Sequence, residues 1–219
     1  MLDEPIRLAM KHFFYTGYFV KTNSSYELIE KSEQGKTYLK LIVGIEDNIC
    51  VMCYDDKKRC EFFNSNYGLR KCIDHFILLK CKDCWELHMI EMKTTVDRDE
   101  WEKIKQKFRA SYWNIRILTQ FLGILFDIER VFLYTTYENE DMGMEKSSNP
   151  RGNVLRVGGY IPDASKEWNG EILTSIRIVP YDDRDEAIFK FRHTKIQMKR
   201  SDDGERLEGT YTLSERNSL

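Results

Sequence analysis

Ile73-Asp-His-Phe-Ile-Leu-Leu-Lys-Cys-Lys-Asp-Cys-Trp-Glu-Leu-His-Met-Ile-Glu-Met-Lys93 is the stretch that decides the fold. Two β-prone runs, 73–79 and 85–92, flank a polar turn at 80–84, so the stretch is expected to fold as a hairpin. Because strand side chains alternate, Trp85, Leu87, Met89, Glu91 and Lys93 share one face, apolar at its start and charged at its end. An acid and a base closing an otherwise buried face are costly unless they are paired or coordinate a metal. Asp74 opens the first run, and the hairpin brings it close to Glu91 and Lys93.

Working outward, runs 38–43 and 48–54 are also β-prone, and four strands in meander order is the simplest arrangement. Residues 99–126 follow, with Trp101, Ile104, Phe108, Tyr112, Ile115, Leu118 and Leu122 recurring every three or four positions. That period predicts a helix, opened by the capping-box-like spacing of Asp97 and Glu100 and broken once near Ser111. Residues 130–137 read as a buried strand, so the middle of the chain is strands, helix, strand. Ile6, Met10, Phe13, Phe14 and Phe19 predict an N-terminal helix over 6–18, and 25–31 a second short helical piece. Residues 139–153 are charged and contain Pro150, which marks a loop or boundary. The segment 154–213 is expected to be β-rich, with 187–199 as a long strand or hairpin and a polar tail after it. The expected class is α+β, with a core over 1–138 and a β-rich C-terminal extension over 139–219 packed on that core.

Composition narrows the function classes. With 42% apolar and 13% aromatic residues, 219 residues can bury a full core, which excludes disorder of the whole chain. A net charge of -2 provides no global field to attract nucleic acid, so any such contact must be local. The first eleven residues lack a basic start and an apolar run, and no stretch reaches the ~18 apolar residues of a membrane span; a cytoplasmic protein without membrane contact is expected. No glycine-rich phosphate loop or nucleophile elbow is present, which disfavours kinases, P-loop NTPases and α/β-hydrolases.

Two carboxylates beside a lysine suit metal-assisted phosphodiester hydrolysis. Asp74 and Glu91 supply hard oxygen ligands for Mg²⁺ or Mn²⁺, the Met92 main-chain carbonyl a third, and the Lys93 ammonium orients a water or stabilises developing charge. Leu69-Arg-Lys-Cys-Ile-Asp74-His-Phe-Ile-Leu, followed by His88-Met-Ile-Glu91-Met-Lys93-Thr and a helix, resembles the PD-(D/E)XK nuclease superfamily over roughly 41–137. Gln106 resembles the glutamine that several branches carry on that helix. The chain departs from the pattern in having Ile73 where a proline usually precedes the aspartate. Some branches also use an N-terminal helical acid, a role open here to Glu27 or Glu30. The resemblance implies a restriction-endonuclease-like core, a mixed sheet flanked by helices, acting on nucleic acid, with DNA favoured over RNA. A protein partner or a second copy of the chain is a further possibility.

Two rival readings remain open. Cys50-Val-Met-Cys53 and Cys81-Lys-Asp-Cys84 have a spacing compatible with a structural zinc site, making the chain a zinc-ribbon binding module; buried thiols are the plainer reading. Alternatively, Asp74, Glu91 and Lys93 form an ordinary cross-strand charge pair on a catalytically silent nuclease-like scaffold. The basic run 190–200 and the cluster Lys103, Lys105, Lys107 and Arg109 suit either a solvated face or a phosphate grip. His75 and His88 are expected to be structural.

Overall fold

The computed structural model describes residues 3–13, 20–21, 24–32, 35–44, 48–51, 69–82, 84–142, 164–178 and 187–213. In chain order its elements are α1 (Glu4–Phe13), β1 (Val20–Lys21), β2 (Ser25–Ser32), β3 (Gly35–Val43), β4 (Asn48–Val51), β5 (His75–Cys81), β6 (Cys84–Met92), β7 (Thr95–Asp97), α2 (Arg98–Phe121), β8 (Val131–Tyr137), β9 (Asn139–Asp141), α3 (Ala164–Trp168), β10 (Thr174–Arg177), β11 (Ile188–Gln197), β12 (Lys199–Arg200) and β13 (Arg206–Leu213).

The expected hairpin is β5 and β6, with His75 opposite Ile90 and Cys81 opposite Cys84. Helix α2 then carries the chain across the sheet to β8, which lies parallel to β6 with Glu91 opposite Thr135. A parallel neighbour requires such a crossover, whereas β5 and β6 need only a tight turn. β4 and β1 extend the β5 side, while β11 and β10 extend the β8 side, giving a seven-stranded mixed sheet in the order β1-β4-β5-β6-β8-β11-β10. The segment beyond 139 thus contributes strands to the same sheet as the hairpin. The α+β class holds.

The two faces of this sheet are covered differently. On one, Phe76, Leu78, Leu87, Met89, Leu133 and Phe191 pack against Trp101, Ile104, Phe108 and Ile115 of α2, with Ile6 of α1 and Trp168 of α3. On the other, Ile77, Leu79, Ile90, Phe132 and Ile196 meet Tyr26, Leu28, Leu39, Leu41 and Leu207 of a second sheet, ordered β12-β13-β3-β2. Each fully buried aliphatic or aromatic side chain contributes roughly 1.5–3 kcal/mol, so both interfaces are substantial. The three described helices therefore all lie on one face, and a sheet covers the face where the resemblance implied a helical flank. A buried hydrogen bond from the Tyr26 hydroxyl to Asn48 Oδ1 ties β2 to β4 across the layers.

Several sequence expectations need correction. Residues 25–31 form a strand, because Tyr26 and Leu28 are buried while Ser25 and Glu27 are exposed, the period of two that a sheet face selects. The run 38–43 belongs to β3 in the second sheet, where β2 and β13 flank it, so the meander is β4-β5-β6 only. α2 passes Ser111 without a break, since the Ser111 hydroxyl accepts a hydrogen bond from the Ile73 amide at 2.9 Å. It ends at Phe121 rather than 126. There Gly123 adopts φ +72°, and the amides of Gly123 and Ile124 donate to the Gln120 and Thr119 carbonyls at 3.0 and 2.8 Å, a Schellman ending. Residues 139–141 are β9, paired with β7, and α3 is a helix within the segment expected to be β-rich. Phe14, Phe19, 52–54, Cys60 and 143–163 lie outside the described residues.

Candidate active site

The first aspartate is fixed from two sides. The Ile73 amide just before it is held by Ser111 of α2, and Asp74 Oδ2 accepts the Met92 amide of the neighbouring strand at 2.6 Å. Glu91, one residue from the end of β6, points toward α2 and is fully buried. Lys93 leaves the strand with its amide held by Thr136, whose carbonyl and hydroxyl oxygens lie at 3.3 and 3.1 Å. β5, β6, β8 and α2 together determine where these three side chains meet.

Their charges form one connected cluster. Glu91 Oε1 accepts from Lys107 Nζ at 2.5 Å and lies 3.3 Å from Lys93 Nζ. Lys107 Nζ is also 4.0 Å from Asp74 Oδ1, which places its ammonium between the two acids. Lys93 reaches the other way, to Glu100 Oε1 at 3.0 Å, while Glu100 Oε2 pairs with the exposed Lys103 at 3.2 Å. Glu91 Oε2 is buried and has no hydrogen-bond partner.

Burial, followed by repulsion from Asp74, outweighs the attraction of Lys107 and Lys93 and pushes Glu91 up to about 8. Burial works against the Lys93 ammonium, but Glu91, Glu100 and Asp74 overcome it and hold its pKa above the ordinary lysine value. Within the cluster Asp74, Glu91 and Glu100 face Lys93, Lys103 and Lys107, so the charges balance, and one buried Glu91 oxygen is left without a hydrogen bond. A divalent cation is the kind of group that such a carboxylate oxygen can bind. Among the described residues no three His, Cys, Asp or Glu side chains converge as a metal cluster; the pair Asp74 and Glu91 is what this site could offer an ion.

Asp74, Glu91 and Lys93 gather in one cluster, and the Met92 main-chain contact seen there is its amide, donated to Asp74 Oδ2, not the carbonyl expected as a ligand. Gln106 is exposed, and its Oε1 accepts from Lys71 Nζ at 2.8 Å, outside the cluster. Glu27 and Glu30 lie on β2 in the second sheet, so neither is the helical acid. The further acid that the structure brings to the cluster is Glu100, in the first turn of α2 after the hairpin. Lys107 was visible only as one cation in a basic run. Its spacing from Ile104 and Ser111, three and four residues along α2, puts it on the inward stripe and was the available signal.

Among the described cysteines, Cys81 and Cys84 lie opposite each other but Cys50 does not join them. Cys50 pairs with Ile77, and Cys81 lies four residues further along β5, about 13 Å at the strand rise; Cys53 falls outside the described residues. Burial pushes the Cys50 thiol up, as befits a core residue. His75 is buried and pushed down by burial to about 4. His88 sits on the second-sheet side, with Nε2 3.4 Å from Glu86 and Nδ1 3.0 Å from the Tyr134 hydroxyl. In the run 190–200, His193 is buried against Trp101 and Trp168, and Lys195 pairs with Glu140 at 2.8 Å.

Among the described residues no helix is long and apolar enough to cross a membrane. Comparison of the chain with protein-family models, curated proteins and solved structures yields no match.

Proposed function

We propose that this chain is a metal-dependent nuclease that hydrolyses phosphodiester bonds of nucleic acid. The observation that carries the reading is the convergence of Asp74 and Glu91 from adjacent strands, with a buried Glu91 oxygen left without a hydrogen bond and two lysines beside it. A sealed, unbonded carboxylate oxygen is costly, and proteins retain such features where function uses them. The order of antiparallel hairpin, helix and parallel strand adds support from the resemblance, and the preference for DNA over RNA rests on that resemblance.

Asp74 and Glu91 would hold Mg²⁺ or Mn²⁺ together with the main chain at Met92. Mg²⁺ accepts one or two protein carboxylates and fills its remaining positions from solvent and substrate phosphate. When bound, the ion supplies Lewis acidity that polarises the phosphate and acidifies a water. Lys93 stays protonated across the neutral range and would meet negative charge developing on a phosphate bound beside Glu91. Ser111 and Thr136 hold the backbones of Ile73 and Lys93 and so keep the two strand ends in register at the reacting centre.

The test is cleavage of single-stranded and duplex DNA and RNA with Mg²⁺ or Mn²⁺, comparing wild type, Glu91→Ala, Lys93→Ala and a chelator control. Wild type is expected to cut, with each substitution slowing cleavage by about 10²-fold or more and the chelator abolishing it. Absence of cleavage, or mutants that cut as well as wild type, removes the catalytic reading.

A further inference from the structure

Two lysines touch Glu91, but they are placed differently. Lys93 pairs with Glu100 at 3.0 Å as well as lying 3.3 Å from Glu91. Lys107 contacts Glu91 at 2.5 Å and stands 4.0 Å from Asp74, so its ammonium takes the position between the two acids that a bridging cation needs. It comes from a helix rather than from the strands, and about a quarter of its side chain is exposed, which leaves a path to solvent. Lys103, one turn earlier on α2, is exposed and paired with Glu100, and so makes a control of like charge on the same helix.

We propose that Lys107 is an exchangeable cation of this centre: it neutralises Asp74 and Glu91 when no divalent ion is bound, and turns outward to a substrate phosphate when one is. This inference rests on the nuclease reading. The physical basis is competition. An ammonium and a divalent ion cannot occupy the same site between two carboxylates, so binding of one costs the contacts of the other. Lysine suits this role because its flexible stem and compact charge allow the ammonium to move between carboxylate and phosphate without a fixed fork geometry.

The experiment measures Mn²⁺ binding by electron paramagnetic resonance and calorimetry, without nucleic acid, for wild type, Lys107→Met, Lys103→Met and Glu91→Gln, followed by cleavage rates. Lys107→Met is expected to bind Mn²⁺ about tenfold tighter than wild type, yet to cut at least about tenfold more slowly, with Lys107→Arg recovering part of the rate. Lys103→Met removes the same charge one turn away and should change Mn²⁺ affinity less than about twofold. If Lys107→Met is too unstable to purify, Lys107→Gln serves the same comparison. Mn²⁺ binding that depends on Glu91 but is indifferent to Lys107 overturns the exchange and leaves the nuclease reading standing. Absence of Glu91-dependent Mn²⁺ binding in wild type overturns both.

Discussion

At the scale of single residues, the site depends on groups chosen for what they bond rather than for what they are. Ser111 is a helix-interior serine whose hydroxyl completes the buried amide of Ile73, and the position of Asp74 follows from that bond. Ser111→Ala leaves that amide without its partner and is expected to cost about 1–3 kcal/mol in chemical denaturation. Glu91 is the opposite case, a residue whose folded environment resists its own charge. Replacing it removes that penalty, so in chelator at pH 8 Glu91→Gln should melt at a higher temperature than wild type. Added Mg²⁺ should then raise the melting temperature of wild type but not of the variant. Equal melting temperatures in chelator would mean that Glu91 is not strained in the folded state.

At the scale of elements, α2 is the organiser. Its N-cap Asp97 accepts the Glu100 amide at 2.7 Å, which holds the first turn and with it the Glu100 carboxylate that restrains Lys93. Asp97→Ala is expected to destabilise by about 1 kcal/mol and to loosen Lys93, which lowers cleavage more than a cap distant from the site would. At the other end Gly123 uses φ +72°, where a Cβ meets nothing but the backbone conformation itself is strained for other residues. Gly123→Ala should cost about 1 kcal/mol and leave cleavage unchanged, a contrast that separates stability from site geometry. The capping pair and the apolar stripe were legible in the sequence. The continuity through Ser111 was not, because it depends on a bond to Ile73, a residue distant in sequence and on another element.

At the scale of the whole molecule, buried titratable groups of opposite sign set the pH profile. His75 and His193 are pushed down by burial to about 4 and about 3, so the stability they provide is present above their ordinary value of 6.5 and is lost as pH falls below it. Glu91 is pushed up from 4.5 to about 8, so its contribution is complete at low pH and is lost as pH rises toward 8. In chelator the two trends cross, and urea midpoints are expected to peak near pH 6.5. Glu91→Gln should flatten the alkaline arm and His193→Phe part of the acid arm. A profile that rises steadily to pH 8 would contradict the assignment for Glu91.

The sequence by itself determined the hairpin, the face shared by Trp85, Leu87, Met89, Glu91 and Lys93, the long helix and the strand after it, because period-two and period-three-to-four apolar patterns are local properties of the chain. It also brought Asp74, Glu91 and Lys93 into one hypothesis, since cross-strand neighbours follow from hairpin register. Only the tertiary structure decided that Ser25–Ser32 is a strand, that a second sheet covers the far face, and that Lys107 and Glu100 join the cluster while Gln106, Glu27 and Glu30 do not. The reason is physical: short segments take the structure of the surface they pack on, and although spacing put Lys107 on the inward stripe of α2, which strand residues it meets there depends on how the helix crosses the sheet.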